Sequence, residues 1–211
     1  MNTAQEILAR LLVRYPALAS CECEIRQAFE RLADCFSGGG KLLLCGNGGS
    51  AADCGHIVGE LMKGFLLPRP LTGQEQEAFS AADGGDLAEG LQRGLPAISL
   101  VDMAALNSAF CNDISHDLLF AQSTYVLGNR GDVLLAISTS GQSMNIVNAI
   151  KTAKVRGLTT IGLTGEGGGA MADLCDVCIC APARETFCVQ EYHLPIYHAL
   201  CAMLEVHFFG E

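Results

Sequence analysis

Two clusters of polar residues in this chain have the types and spacing to do chemistry on a small phosphorylated molecule. The first is Gly46-Asn47-Gly48-Gly49-Ser50, followed by His56 and Glu60; the second is Ser138-Thr139-Ser140-Gly141-Gln142-Ser143. Four hydroxyl residues within six positions exceed what one helix cap requires, and backbone N–H groups at a helix start can hold a phosphate with those hydroxyls as added donors. The glycine loop carries neither the Walker lysine nor the dinucleotide spacing. It serves equally as a tight strand-to-helix turn, from which Asn47 and Ser50 can reach a sugar or its phosphate. His56 and Glu60 are four apart and share one face of a helix, as proton-transfer groups or as a subunit contact. Downstream, Gln190 and His198 lie two helical turns apart on the last long segment. Two imidazoles, a carboxylate and an amide oxygen are a donor set for tetrahedral zinc, provided the two helices meet.

The elements that must position these residues follow a regular grammar. Lys41 to Cys45, Ala97 to Val101, Val133 to Ile137, Thr159 to Leu163 and Val177 to Cys180 are short, apolar and stopped by turn residues, as buried parallel strands are. Helix-length stretches such as Ser143 to Val155 lie between them. The alternation predicts an α/β doubly wound parallel sheet flanked by helices, in which ligands sit beyond the carboxyl ends of the strands. Both polar clusters follow a strand directly. Residues 2 to 36 have helical spacing, with a break at Pro16. The stretch from Thr186 to Phe209 reads as a long helix with a kink at Pro195. Residues 66–95 are rich in Gly, Pro and acids, with short helices expected near Glu75 to Ala82 and Asp86 to Gln92. A connection of that length is an extended loop, either a lid or a solvated excursion. No repeat or linker divides the chain, so 1–211 is expected to be one domain.

Composition excludes several classes. A net charge of −10 with 13 dispersed Lys and Arg over 211 residues argues against a nucleic-acid surface. No apolar run is long enough for a membrane span. The first residues have no basic head or apolar core of a secretory signal, and a cytoplasmic location is expected. The 11 cysteines include a C-x-x-C at Cys175 and Cys178 and a C-x-C at Cys21 and Cys23, but no two pairs with zinc-site spacing, so packed free thiols are expected.

On these motifs the chain resembles the sugar isomerase (SIS) domain proteins, and most closely the phosphoheptose isomerases. The similarity runs from the N-terminal helices through both polar clusters and Leu163-Thr164-Gly165 to Gln190-Glu191-Tyr192-His193 and His198. It implies a flavodoxin-like three-layer fold whose N-terminal helices (1–36) serve oligomer packing, as a homotetramer or dimer. It also implies aldose–ketose isomerisation of sedoheptulose 7-phosphate to D-glycero-D-manno-heptose 7-phosphate, or of a similar sugar phosphate, through an enediol. Carried over residue by residue, Ser138, Thr139, Ser140 and Ser143 would hold the phosphate. Asn47, Gly48, Ser50, Asp102 and Gln190 would line the substrate, Glu60 and His198 would form the acid–base pair, and His56, Glu60, Gln190 and His198 would hold one zinc ion.

Three departures bear on the sugar. Gly64 stands where the family usually has arginine, with Lys63 beside it; Phe187 stands where aspartate is common; and the 66–95 stretch is about twenty residues longer than in the heptose enzymes, a length associated with a lid or binding loop. The competing expectations are a non-catalytic SIS protein that binds a protein partner, of the replication-initiator-associating type, and a sugar-phosphate sensor. The first tends to lose the acid–base set, which this chain retains. The second usually carries a helix-turn-helix domain, which the acidic N-terminal helices do not resemble.

Overall fold

A computed structural model describes residues 3–210. The chain opens with α1 (Ala4–Arg14), whose N-terminus is closed by a reciprocal Thr3/Glu6 capping box, and α2 (Glu22–Ser37). A 3₁₀ segment, Pro16–Cys21, separates them, where the missing proline N–H breaks the α-helical ladder. There follow β1 (Leu42–Gly46), α3 (Gly49–Met62), α4 (Gly73–Ala81), α5 (Gly85–Gly90), β2 (Ala97–Ser99), α6 (Ala104–Asp113), α7 (Leu119–Leu127), β3 (Val133–Ile137), α8 (Met144–Arg156), β4 (Thr159–Thr164), α9 (Gly169–Leu174), β5 (Val177–Cys180) and α10 (Thr186–Phe209).

The five strands are all parallel, in the order β2-β1-β3-β4-β5. The chain winds outward from β1 in one direction and from β3 in the other, so the β1/β3 boundary is the topological switch point of the sheet. Gly46 and Ile137, the last residues of those strands, are paired across the ladder. The loops that leave them therefore start side by side, about 4.8 Å apart.

Alternation along the strands builds two cores. Leu42, Leu44, Val133, Leu135 and Ile137 face α1, α2, α3 and α10, while Leu43, Cys45, Leu134 and Ala136 face α7, α8 and α9. All are buried, as expected of strands covered on both faces.

The sheet departs from expectation mainly at β2. The apolar run to Val101 stops being a strand after Ser99, because Leu100–Asp102 coil into a 3₁₀ turn. The Asn107 side-chain amide captures the carbonyls of Leu100 and Val101, removing them from any ladder. Elsewhere β1 is shifted by one residue to include Gly46, β4 extends to Thr164, and α10 continues through Pro195. All 11 cysteines are free. Cys45 and Cys201 are buried, whereas Cys175, Cys178 and Cys180 are half-buried.

The 66–95 excursion contains the two expected short helices and is pinned at its base. Arg93 N–H donates to Arg69 O at 2.8 Å, and Pro70 bridges Gln92. Its anchor is Arg69, fully buried against the equally buried Glu205 of α10, with Nε to Oε1 at 2.9 Å. No described helix is long and apolar enough to cross a membrane.

Candidate active site

The hydroxyl loop and the glycine loop enclose one cavity of about 250 Å³ at the switch point. Ser138 is buried at its floor, with its hydroxyl 3.2 Å from that of Ser143. Ser143 occupies the N-cap position of α8 but makes no capping hydrogen bond with its side chain. The hydroxyl is thus not consumed by the helix, which distinguishes a binding cluster from an ordinary cap. Gly141 holds the turn at φ +63°, where a methyl group would run into Gly168 O. Thr139, Asn47, Gly48 and Ser50 also line the cavity, whereas Ser140 is exposed and accepts from Gln142 N–H at 3.2 Å.

Gln190 belongs to this cavity as well. Its side-chain amide packs so closely over Gly49 that a methyl group there would collide with Nε2. Asn47, expected to face the sugar, exchanges two amide hydrogen bonds with Asn145 at 3.0 and 2.9 Å, stitching the two loops together. Asn145 and the cavity-lining Thr186 had no motif to single them out. Asp102 ends the turn after β2 at the same sheet edge; it is exposed and does not line the cavity.

The second group lies between α3 and α10, two helical turns further along α10 from Gln190, or about 12 Å at 1.5 Å per residue. His56 Nε2 is 3.3 Å from Glu60 Oε1 and 3.3 Å from His198 Nε2, so the two helices do meet. Glu60 is largely buried, and its Oε2 has no hydrogen-bond partner. Lys63 Nζ stands 3.6 Å from that oxygen. Burial pushes the His198 imidazole below its ordinary pKa; neighbouring His56 adds to this and Glu60 opposes it. His198 also borders a cavity of about 470 Å³ between α1 and α10, with Arg10, Arg14 and Phe65.

Arg69 ties this group to the fold. Beyond Glu205, its guanidinium donates to Leu61 O at 2.7 Å and Glu60 O at 3.3 Å. Glu205 in turn accepts from the N–H groups of Phe65 and Leu66 at 2.8 and 2.7 Å. The carboxyl end of α3, which carries Glu60, is thereby fastened to the helix that carries His198. Phe187, in the first turn of α10, is exposed.

Among the described residues, no group of three or more His, Cys, Asp or Glu side chains is closed into a metal centre. The pairwise fit is nevertheless favourable. A spacing of 3.3 Å between donor atoms is about the edge of a tetrahedron with ligands near 2.0–2.1 Å, and the buried Glu60 Oε2, which accepts no hydrogen bond and has Lys63 Nζ at 3.6 Å, is the kind of group a cation satisfies. Gln190 stands apart from these three, over Gly49.

The molecule is therefore a parallel α/β domain with a hydroxyl-lined cavity at its switch point and the His56/Glu60/His198 cluster nearby. A SIS domain family model matches residues 16–81 and 72–165. Phosphoheptose isomerase of Burkholderia pseudomallei is 36% identical over 208 residues, covering 99% of this chain and 92% of that protein. The solved phosphoheptose isomerase GmhA of Neisseria gonorrhoeae superposes with a TM-score of 0.71 at 31% identity, covering 96% of this chain and 91% of that one. The phosphoheptose isomerase from Francisella tularensis gives 0.75 at 30% identity over 90% of each. The chain belongs to the SIS-domain family and, within it, to the phosphoheptose isomerases.

Proposed function

We propose that this chain interconverts a ketose phosphate and its aldose, with sedoheptulose 7-phosphate and D-glycero-D-manno-heptose 7-phosphate as the pair. The observation that carries this is the placement of Gln190 in the hydroxyl-lined cradle and His198 in the His56/Glu60/His198 cluster on the same helix, separated by about 12 Å of helix axis. A six- or seven-carbon sugar held by its terminal phosphate brings its C1–C2 end to contact distance of a group that far away; a triose phosphate falls short.

Ser138, Thr139 and Ser143, with the backbone at the start of α8, bind the phosphate. Gln190 and Ser50 border the sugar. From the ketose, isomerisation then needs one group to remove a proton from C1 and return one to C2, while another moves the hydroxyl proton between O1 and O2. Glu60 and His198 divide these transfers. A lowered imidazole pKa keeps His198 neutral near pH 7, able both to accept and to give a proton. A zinc ion held by His56, Glu60 and His198 would add Lewis-acid polarisation of the substrate carbonyl.

The test is incubation of zinc-supplemented protein with sedoheptulose 7-phosphate in deuterated water. Deuterium should enter C2 of the aldose product, and the signal should vanish in Glu60→Gln and His198→Asn. An absence of exchange with every six- and seven-carbon ketose phosphate would sink the assignment. The subunits are proposed to associate through the N-terminal helices, which sedimentation equilibrium would reveal as a dimer or tetramer.

A further inference from the structure

Behind His56, on the side away from Glu60 and His198, lie two residues outside the substrate site. Tyr197 of α10 is buried, and Asp53 stands one turn before His56 on α3. The Tyr197 hydroxyl donates to Asp53 Oδ1 at 3.1 Å, and the same phenolic oxygen lies 3.0 Å from His56 Nδ1. A phenol has one proton to give. With that proton on Asp53, the oxygen can meet His56 only as an acceptor, so the imidazole hydrogen must reside on Nδ1. A neutral ring protonated there presents a bare lone pair at Nε2. Nε2 is the atom 3.3 Å from both Glu60 and His198.

The opposite arrangement is disfavoured by the same geometry. If Tyr197 gave its proton to His56 Nδ1, Asp53 would lose the only hydrogen bond it receives among the described residues. A carboxylate already penalised by burial would then be left without a protein partner.

We propose that Asp53 and Tyr197 are positioning residues that lock His56 in the tautomer protonated on Nδ1, so that Nε2 faces the reactive cluster as an acceptor or metal ligand. The proposal rests on the assignment of His56, Glu60 and His198 as the reactive cluster and names what sets its polarity. Partners of this kind fix both the tautomer and the orientation of a ligating ring, and losing them typically costs about 10–100-fold in metal affinity or activity.

The direct measurement is ring ¹⁵N NMR of histidine-labelled full-length protein after chelation, with the fold checked by circular dichroism and His56 assigned by its loss in His56→Gln. Wild type should show a pyrrole-like Nδ1 and a pyridine-like Nε2. In Asp53→Asn the new amide can donate to the phenolic oxygen, which frees the Tyr197 proton for Nδ1 and should flip the hydrogen to Nε2. In Tyr197→Phe the Nδ1–H loses its acceptor and its preference. Zinc affinity by calorimetry should fall about 10–100-fold in both, with the affinity for inorganic phosphate unchanged. A hydrogen on Nε2 in wild type, or one tautomer shared by all three proteins, overturns the proposal, and the wild-type spectrum decides it even if a variant fails to fold. The two assignments fail separately: no deuterium exchange with an intact Nδ1–H removes the isomerase alone, and exchange with an Nε2–H removes the lock alone.

Discussion

The cradle at the switch point and the proton-transfer cluster share α10 and are built by opposite means. The cradle is largely backbone: two loops leave the paired strand ends Gly46 and Ile137, and glycine geometry with helix starts does the rest. The cluster is all side chain, carried on two helices whose relative placement depends on Arg69, Glu205, Asp53 and Tyr197. In the proposed reading, phosphate binding follows from the fold and should survive many side-chain changes. Proton transfer by His56, Glu60 and His198 would depend on the registration of α3 against α10, and single substitutions far from the substrate should disturb it.

The sharpest way to separate the two regions is to remove the chemistry alone. Glu60→Gln and His198→Asn should each lower kcat by about 10²–10⁴-fold, while calorimetric affinity for the sugar phosphate stays within about threefold. Equal loss of binding would merge the regions. Next is the buried ion pair. Removing one partner, in Arg69→Met or Glu205→Gln, strands a desolvated group and should cost about 3–5 kcal/mol in denaturant unfolding.

His193 lies on α10 between the two regions, fully buried, with Nε2 3.2 Å from Thr164 O and Nδ1 unpartnered. Burial pushes its pKa down to about 4. Below about pH 6.5 the unfolded chain takes up a proton that the folded chain refuses. Stability should therefore fall as the pH drops from about 6.5 to about 4, by about 3 kcal/mol in all. Urea titrations across that window should show this component missing in His193→Phe. The smallest effect is expected at the cradle: Ser143→Ala removes one of several donors and should raise KM about tenfold or less with kcat nearly unchanged.

The contrast also governs what could be read from the sequence. Strand and loop positions were legible because parallel strands are contiguous apolar runs and both loops are local. His56 and Glu60 were legible as a pair because four residues is a helical repeat. The couplings that hold the cluster were not. Tyr197 meets His56 across 141 residues and Arg69 meets Glu205 across 136, and no local spacing encodes such contacts. Gln190 was expected both to line the substrate and to join the zinc ligands; it lines the cavity, packed over Gly49, because two turns of α10 separate it from His198. β2 ended early because of Asn107, a side chain seven residues beyond the first carbonyl it captures.

The pinned base of the 66–95 excursion has a consequence for how this chain tolerates change in length. Arg69 and Arg93 are hydrogen-bonded backbone to backbone, so the residues between them close as a loop of their own, outside the main circuit of the fold. Closure entropy grows only as the logarithm of loop length, about 0.6 kcal/mol per doubling. Residues can therefore be gained or lost between these two positions at little thermodynamic cost, as long as Arg69 stays seated on Glu205. The excursion is in this sense a modular appendix, and replacing residues 71–91 with a short glycine-rich turn should yield a protein that still folds.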